Sequence, residues 1–384
     1  MKRRLLTCFL TLMALAAVIS GADVYSQSPL FISTGSPVTV GEGSGHLVLA
    51  DINRDGHLDL VSQHLQRHMV AVQLGDGTGR FTAAPGSPIT LDYSPGDIEV
   101  GDVNKDGLLD LGVTSSERDA VDIFLGQGSG RFNPAPGSPF LVSPSPEFNT
   151  HGLQFVDINE DGKLDIITTS NTRNSFSTLL GNGRGGFSQG PTSTFPAREG
   201  RYAFAFGDLD ADGHLDAAIS NGGTELLAES ARVVVLRGNG KGAFENISET
   251  PVPAGPRYAA LGDINGDGRP DIVLTHGSDQ LSVVLNKGGG RFAPASPFDL
   301  ETTVFAVAVA DVNRDKKNDL VVAAVESVIV LLNSASGFAP APGSPFNAGP
   351  GAFHLTTGDI NKDGKLDVAA SSFGGRNVTV LLGR

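Results

Sequence analysis

The chain has 384 residues, of which 50 are glycine and 22 are proline, and its formal net charge is −14. An acidic balance of this size argues against nucleic acid as a partner, and the apolar content is that of a globular chain rather than a disordered one. Because Cys8 is the only cysteine, the sequence also excludes the small disulfide-rich scaffolds.

The N-terminus has the pattern of an export signal. Three basic residues at 2–4 precede an apolar stretch at 5–20, and small residues follow up to Ala22. This order predicts a secretory signal peptide over residues 1–22. The stretch is short for a membrane helix of about 20 residues, although an uncleaved anchor is the alternative. We expect no membrane span after signal removal, and a protein that is secreted or periplasmic or held in the cell envelope.

An acidic nine-residue motif recurs along the rest of the chain. The first copy runs from Asp51 to Asp59 and reads Asp-Ile-Asn-Arg-Asp-Gly-His-Leu-Asp. The other copies begin, 48 to 55 residues apart, at Asp102, Asp157, Asp208, Asp263, Asp311 and Asp359. Seven copies at a period near 50 residues indicate seven equivalent structural units.

Each unit contains four short extended segments in a fixed order around the motif. The apolar runs are four to six residues long and rich in Val, Ile and Phe, as in 305–310 and 378–382. Their length and composition are typical of strands, and no window shows a sustained helical period. Four antiparallel strands in about 50 residues make one propeller blade. The sequence therefore predicts an all-β, seven-bladed β-propeller.

The two ends of the chain predict how the ring closes. The last unit stops after its third strand, at Leu382. The N-terminal segment 30–37 ends in Gly-Ser-Pro, as the fourth segments do at 86–88 and 343–345. We therefore expect the N-terminal strand to complete the seventh blade of a single domain over residues 29–384. An open solenoid is the alternative, but it would leave unpaired strand edges.

The acidic motif predicts calcium ligands. Calcium takes six to eight oxygen ligands, which the carboxylate or amide groups at positions 1, 3, 5 and 9 and the carbonyl of position 7 can supply. Glycine at position 6 permits the sharp turn around the ion. The predicted side-chain ligands are Asp51, Asn53, Asp55, Asp59, Asp102, Asn104, Asp106, Asp110, Asp157, Asn159, Asp161, Asp165, Asp208, Asp210, Asp212, Asp216, Asp263, Asn265, Asp267, Asp271, Asp311, Asn313, Asp315, Asp319, Asp359, Asn361, Asp363 and Asp367.

The seven motifs are not equal. An EF-hand would need Glu at position 12 and flanking helices, which the motifs lack, and a metal-free Asx turn is the plain alternative for any one copy. The copy at Asp208 has a fourth carboxylate, Asp210, and is expected to bind calcium most tightly. The copy at Asp311 has Lys316 in place of glycine, so its occupancy is left open. We expect up to seven calcium ions.

The motif, its period and its seven-fold count resemble the FG-GAP/VCBS repeat family. The calcium-binding blades of the integrin α-subunit head look like the same unit. The resemblance covers about residues 29–384 and implies the propeller and the metal. It does not imply a ligand, because one fold carries many functions.

The connections on the side opposite the motifs carry the candidate ligand-binding residues. These are Arg201, Tyr202, Arg257, Tyr258 and His354, placed before or within the first strands of blades. Arg and aromatic side chains are common binding anchors, although they could equally cap the blade ends. We expect a monomeric binding or interaction protein for a carbohydrate or an extracellular protein, and no catalytic set. The alternatives are a calcium-dependent polysaccharide lyase or hydrolase, and a structural adhesion module of the cell envelope.

Overall fold

The computed structural model describes residues 28–34, 38–115, 117–142, 150–170, 175–191, 193–194, 202–221 and 231–384. The predicted signal peptide, residues 1–22, lies outside the described residues and stays a prediction. Within the described part of the chain, no helix has the length and hydrophobicity that a membrane span requires.

The described chain consists of 33 strands and one 3₁₀ turn at Leu65–Arg67. The strands that precede the first blade are β1 (Phe31–Ser33) and β2 (Val38–Thr39). Blade 1 contains β3 (Ser44–Ala50), β4 (Asp59–His64), β5 (Met69–Gly75), β6 (Phe81–Ala83) and β7 (Ile89–Thr90). Blade 2 contains β8 (Pro95–Gly101), β9 (Asp110–Ser115), β10 (Ala120–Gly126), β11 (Phe132–Pro134) and β12 (Phe140–Leu141). Blade 3 contains β13 (Thr150–Val156), β14 (Asp165–Ser170), β15 (Ser175–Gly181), β16 (Phe187–Gln189) and β17 (Ser193–Thr194).

The remaining blades follow in chain order. Blade 4 contains β18 (Tyr202–Gly207), β19 (Asp216–Asn221), β20 (Arg232–Gly238) and β21 (Phe244–Pro251). Blade 5 contains β22 (Tyr258–Gly262), β23 (Asp271–Thr275), β24 (Gln280–Val284) and β25 (Ser296–Asp299). Blade 6 contains β26 (Val304–Ala310), β27 (Asp319–Ala324), β28 (Ser327–Ser334), β29 (Gly337–Pro340) and β30 (Phe346–Asn347). Blade 7 contains β31 (Ala352–Gly358), β32 (Asp367–Ser372) and β33 (Asn377–Gly383).

Each blade is an antiparallel sheet whose strands pair in chain order. In blade 1 the order is β3-β4-β5-β6, and β7 pairs with β5 beyond β6. The same order recurs in all seven sheets. The predicted seven-bladed propeller with four antiparallel strands per blade is therefore confirmed.

The N-terminal strands close the seventh blade. Both β1 and β2 pair antiparallel with β33, so that Ile32 lies opposite Leu382 and Thr39 opposite Asn377. The backbone N–H of Arg384 donates to the carbonyl of Leu30 at 2.9 Å. The predicted closure is confirmed, while the Gly-Ser-Pro segment at 35–37 lies outside the described residues.

The Pro-Gly-Ser-Pro segments explain why the fourth strand of blades 1, 2 and 6 is split in two. Gly86 has φ 91°, in the left-handed region that glycine tolerates. The chain therefore leaves the sheet, and the Ser87 hydroxyl accepts the Val72 N–H at 2.9 Å in place of a strand carbonyl. Ser138 and Ser344 do the same in blades 2 and 6.

The hydrophobic core is divided among the interfaces between neighbouring blades and does not form a single central cluster. Seven clusters of buried apolar side chains each join two neighbouring blades. The Phe residue that ends each glycine turn packs against one of these clusters, as the sequence suggests; these residues are Phe81, Phe132, Phe187, Phe244, Phe292 and Phe338. Burial of apolar surface between neighbouring sheets therefore holds the blades together in the ring.

The first strand of each blade lies nearest the ring axis. Strand β3 contacts both β8 and β31, and β22 contacts both β18 and β26. Every acidic motif follows a first strand, so the motifs lie at one end of the ring. The connections into the first strands lie at the opposite end, which we call the channel mouth.

Candidate metal loops and channel-mouth site

The first aspartate of each motif organises its loop. In blade 1 the N–H groups of Asp55 and Gly56 donate to the Asp51 carboxylate at 3.1 and 2.8 Å, and the Asn53 side-chain oxygen also accepts the Asp55 N–H. Blades 2, 3, 5 and 6 repeat this pattern. Oxygen atoms of positions 1 and 3 thus accept the same N–H and lie on one side of the loop, and oxygens are the ligands that a hard cation prefers.

The ninth aspartate of each motif is buried and joins the loop to the next turn. Asp59 accepts the Ile52 N–H at 2.9 Å with one oxygen and the Gly75 N–H at 2.8 Å with the other. The equivalent residues, all fully buried, are Asp110, Asp165, Asp216, Asp271, Asp319 and Asp367. Burial raises the pKa of these carboxyl groups, that of Asp110 to about 6. Each loop is therefore anchored to the strand pair that follows it.

Two positions of each loop have left-handed backbone. Position 6 is one, as the sequence predicts, and Lys316 has φ 68° where the other loops have glycine. Position 4 is the other, with φ between 58° and 75° in all seven loops, although only one of its residues is glycine. Strain at position 4 was not predicted, because nothing in the residue types at that position demands it. The fourth side chain turns toward the next blade, where Glu160 contacts His214.

The loop in blade 4 has the densest set of carboxylates. Ligand oxygens of Asp208, Asp210 and Asp216 all lie within 4.8 Å of one another. Arg237 of β20 contacts Asp210 at 2.5 Å and Asp212 at 3.8 Å. The sequence motif did not include this arginine, which lies outside the loop. A calcium ion in this loop would compete with the guanidinium for the fourth carboxylate.

The loop in blade 7 leaves an acceptor without a donor. Oδ1 of Asp359 is buried and has no hydrogen-bond partner, whereas Oδ2 accepts the Gly364 N–H at 2.9 Å. A buried carboxylate oxygen without a partner is costly. The residues of the motif therefore fit a calcium ion, which would supply the missing positive partner.

A second group of titratable side chains lies on the first strands around the axis. His46 Nδ1 lies 2.9 Å from Asp97 Oδ1, and the imidazole rings of His46 and His354 have centroids 4.0 Å apart. The Tyr258 hydroxyl lies 3.1 Å from His354 Nε2. These side chains come from blades 1, 2, 5 and 7, so only ring closure brings them together.

The pKa values of the two histidines move in opposite directions. Burial lowers the pKa of His46, but the carboxylates of Asp97 and Glu99 outweigh burial and raise it. Burial and the neighbouring His46 lower the pKa of His354 well below its usual value. Burial raises the pKa of Glu99 to about 7. The surroundings therefore favour a proton on His46 over one on His354.

β-Bulges at the start of the first strands direct these side chains. The register shifts between Ser44 and Leu47, between Pro95 and Ile98, and between Ala352 and Leu355. A bulge bends its strand and re-aims the side chains within it. The sequence alone did not single out Asp97 or Glu99, because a bulge has no clear signal in residue type.

The predicted ligand-binding residues fall into two groups. The structure brings Tyr258 and His354 together, and it places the Arg257 guanidinium 5.9 Å from the Phe305 ring centre. Arg201 lies outside the described residues, and Tyr202 is described only as the first residue of β18. Their role as a ligand site stays a prediction.

Comparison with known proteins decides the family. The FG-GAP-like repeat matches residues 51–113, 157–219, 224–274, 263–322 and 311–370, more than half of the chain. The chain belongs to the FG-GAP-like repeat family. The sequence resemblance is thereby confirmed, and membership of the FG-GAP family suggests a binding or interaction protein.

A curated relative matches part of this FG-GAP protein. The T-cell immunomodulatory protein of Rattus norvegicus is 28% identical over 211 residues, which span 48% of this chain and 33% of the relative. The chain therefore matches about a third of that protein's length.

Solved structures share the fold of this FG-GAP protein. A chain from the crystal structure of BBS1N in complex with ARL6DN, soaked with mercury, has a TM-score of 0.62 at 12% identity, covering 93% of this chain and 97% of that chain. A lectin of Agrocybe aegerita, solved for its specific recognition of non-reducing terminal N-acetylglucosamine, has a TM-score of 0.54 at 18% identity, covering 89% of this chain and 88% of that chain. At these identities the likeness concerns the fold alone.

Proposed function

We propose that this protein is an exported, calcium-binding β-propeller that binds a carbohydrate or an extracellular protein. The observation that carries the calcium proposal is the buried Asp359 oxygen without a donor, in a loop that also carries the side-chain oxygens of Asn361, Asp363 and Asp367. The side chains at positions 1, 3, 5 and 9 of each motif would hold the ion. Bound calcium would balance the loop carboxylates and fix the loop geometry.

The binding role is supported by the rigidity of the ring and by the composition of the channel mouth. The ring holds side chains from several blades in fixed positions, which lowers the entropy lost on binding. The Agrocybe aegerita lectin is an example of a similar fold that recognises a saccharide. A carbohydrate is therefore the first ligand class to test, and an extracellular protein is the second.

An enzymatic role has weaker support. A polysaccharide lyase would need a base that reaches its substrate, and the candidates are Tyr202 and His354. However, His354 is 6% exposed, and its ring nitrogens face the Tyr258 hydroxyl and the Leu47 N–H. A histidine buried in this way is better placed to pack the side chains around the ring axis than to abstract a proton from a polymeric substrate.

A glycan array tests the proposal. The chain without residues 1–22 would be applied with millimolar calcium and, in parallel, with a chelator. We expect saccharide binding that is lost with the chelator. If no glycan binds, capture of a defined partner from envelope extract in calcium would support the protein-binding alternative. Failure of both would contradict the proposed function and favour a structural adhesion role.

A further inference from the structure

Three phenylalanines form a row at the channel mouth. The rings of Phe305 and Phe353 have centroids 5.7 Å apart, those of Phe353 and Phe373 are 5.5 Å apart, and each pair is tilted by 37°. Phe353 is 38% exposed, one of three large exposed apolar side chains among the described residues. The row joins blades 6 and 7 on the surface, whereas the other phenylalanines noted above pack between blades. Phe305 and Phe373 are half-buried on either side of the exposed Phe353, so the three rings form a continuous apolar patch of the kind that often binds a ligand.

A cavity of about 340 Å³ adjoins one end of the row. Phe373 forms one wall, and Glu42, Gln66 and Arg376 supply polar groups, while Gly43, Gly374 and Gly375 contribute backbone only. A cavity of this size, with one aromatic wall and a few convergent polar groups, suits a small ligand. It lies where the last blade meets the first.

Two arginines meet at Glu42 on the polar wall of the cavity: Arg376 lines the cavity, and Arg67 lies next to it and contacts Glu42. The Glu42 carboxylate accepts hydrogen bonds from both Arg67 of blade 1 and Arg376 of blade 7. Hydrogen bonds to Arg67 and Arg376 lower the pKa of Glu42, so this carboxyl group stays ionised and orients both guanidinium groups. Their side chains are 53% and 69% exposed. Two cations against one anion leave a positive site on an otherwise acidic protein, with further N–H donors that a carboxylate can engage.

The next blade junction has a different set of partners for its arginine. There Arg118 lies 4.2 Å from the centre of the Tyr93 ring and pairs with Asp92 and Asp122 at 3.1 and 3.3 Å. The Arg118 guanidinium is thus held by two carboxylates and a ring of the protein itself. The junction of blades 7 and 1 differs because Glu42 stands where the next junction has Tyr93, so that Arg67, the counterpart of Arg118, pairs with a carboxylate that lines the cavity.

We propose that the phenylalanine row and the adjoining cavity bind an acidic saccharide. The apolar faces of successive sugar rings would pack on Phe305, Phe353 and Phe373, and a sugar carboxylate would pair with Arg376 or Arg67. The phenylalanine row supplies apolar contact, which neutral and acidic sugars would both use. The two arginines would favour a ligand that carries a negative charge. The inference rests on the proposed function and narrows it to one saccharide class and one site.

The test uses matched pairs of ligands. Uronic-acid and sialylated oligosaccharides would be arrayed beside their carboxyl-reduced counterparts, and the best binder would be titrated by calorimetry in calcium. We expect at least tenfold weaker binding to the carboxyl-reduced partner. Equal binding to both members of a pair would overturn the assignment to acidic saccharides.

Single substitutions locate the site. Phe353→Ala and Phe373→Ala are each expected to weaken binding at least tenfold, and Arg376→Gln is expected to reduce the preference for the acidic member. The controls are Leu141→Ala, which truncates a side chain that is 61% exposed elsewhere, and Arg80→Gln at the metal-loop end; both should bind like the unmodified protein. Melting temperatures of all variants would establish that they are folded.

The outcomes separate this inference from the proposed function. If glycans bind equally well to the unmodified protein and to both phenylalanine variants, the site is wrong and the function stands. If no acidic glycan binds and a protein partner is captured instead, the saccharide inference is overturned and only the protein-binding alternative remains.

Discussion

At the scale of single residues, the ninth aspartate of each motif has a structural task apart from any metal. Both oxygens of Asp59 accept backbone N–H groups in a fully buried position. The sequence predicted this residue as a ligand only. Because both oxygens of this buried carboxylate accept N–H groups, replacing the carboxylate by an amide of the same shape should lower the stability of the fold even without calcium.

Asp59→Asn is therefore expected to lower the free energy of unfolding by about 1–3 kcal/mol in chelator, because the amide cannot accept at both ends and one buried N–H loses its partner. Urea unfolding measures the change. Asp279→Asn, at an exposed position, is the control and should stay within about 0.5 kcal/mol of the unmodified protein. Equal behaviour of the two variants would argue against the anchoring role.

A substitution at Lys316 is expected to stabilise the protein. Its φ of 68° is left-handed, so Lys316→Gly should relieve strain and stabilise the protein by about 1 kcal/mol. The same change removes a positive charge beside Asp311 and should strengthen calcium binding by that loop. Lys317→Gly, at a neighbouring residue without left-handed φ, is the control and should not stabilise. Calorimetric melting with and without calcium would distinguish the two variants.

Glu99 predicts a pH dependence of stability. Burial raises its pKa from 4.5 to about 7, with His46 and Asp97 as the charged groups that act on it. The folded protein therefore holds this proton more tightly than the unfolded chain does. Its contribution to stability is complete below about pH 4.5 and is lost as the pH rises through about 7.

Glu99→Gln removes that dependence. The melting temperature of the variant should fall less than that of the unmodified protein between pH 5 and 8, by an amount that corresponds to about 1–3 kcal/mol. Glu301→Gln, at an exposed position, serves as the control. Parallel melting curves for Glu99→Gln and the unmodified protein across this range would contradict the assignment.

At the scale of elements, the seam between β33 and the N-terminal strands holds the ring closed. The N–H of Val40 donates to the Arg376 carbonyl at 3.0 Å, which makes the preceding pair, Thr39 and Asn377, a non-hydrogen-bonded one. Such pairs have close Cα atoms that suit a disulfide. Cys8 is the only cysteine of the chain and lies in the predicted signal peptide, so a variant made without residues 1–22 offers an introduced pair no competing thiol.

The double variant Thr39→Cys, Asn377→Cys is expected to stabilise the oxidised protein by about 2–4 kcal/mol relative to its reduced form, because the bond closes nearly the whole chain into one loop. Urea unfolding with and without reductant measures the difference. The unmodified protein under the same two conditions is the control. An oxidised form no more stable than the reduced one would show that the seam does not limit unfolding.

The regular elements could be predicted from the sequence, while the channel mouth could not. The strands, the acidic loops and the closing strand each have a local signal: apolar runs, a spaced carboxylate motif and a Gly-Ser-Pro segment. The contacts of His46 with Asp97 and of Tyr258 with His354 depend on β-bulges and on the meeting of distant blades. Arg237 was missed for the same reason, because it reaches the Asp208 loop from β20.

At the scale of the whole molecule, the acidic charge is concentrated at one end of the ring. The seven motifs contain about half of the 42 acidic residues, in a chain of net charge −14. Like charges held this close repel one another and destabilise the folded state unless cations balance them. Calcium in the loops would remove most of this repulsion, and the channel mouth would remain free to bind a ligand.

The melting temperature as a function of free calcium tests this account most directly. Calcium bound only by the folded state should add about 1.4 kcal/mol per site at ten times the dissociation constant, so the melting temperature should rise steeply at millimolar calcium and fall in chelator. Magnesium at the same ionic strength is the control and should give a smaller rise, because it dehydrates reluctantly. Identical melting in calcium, magnesium and chelator would contradict the proposal that these loops are calcium sites.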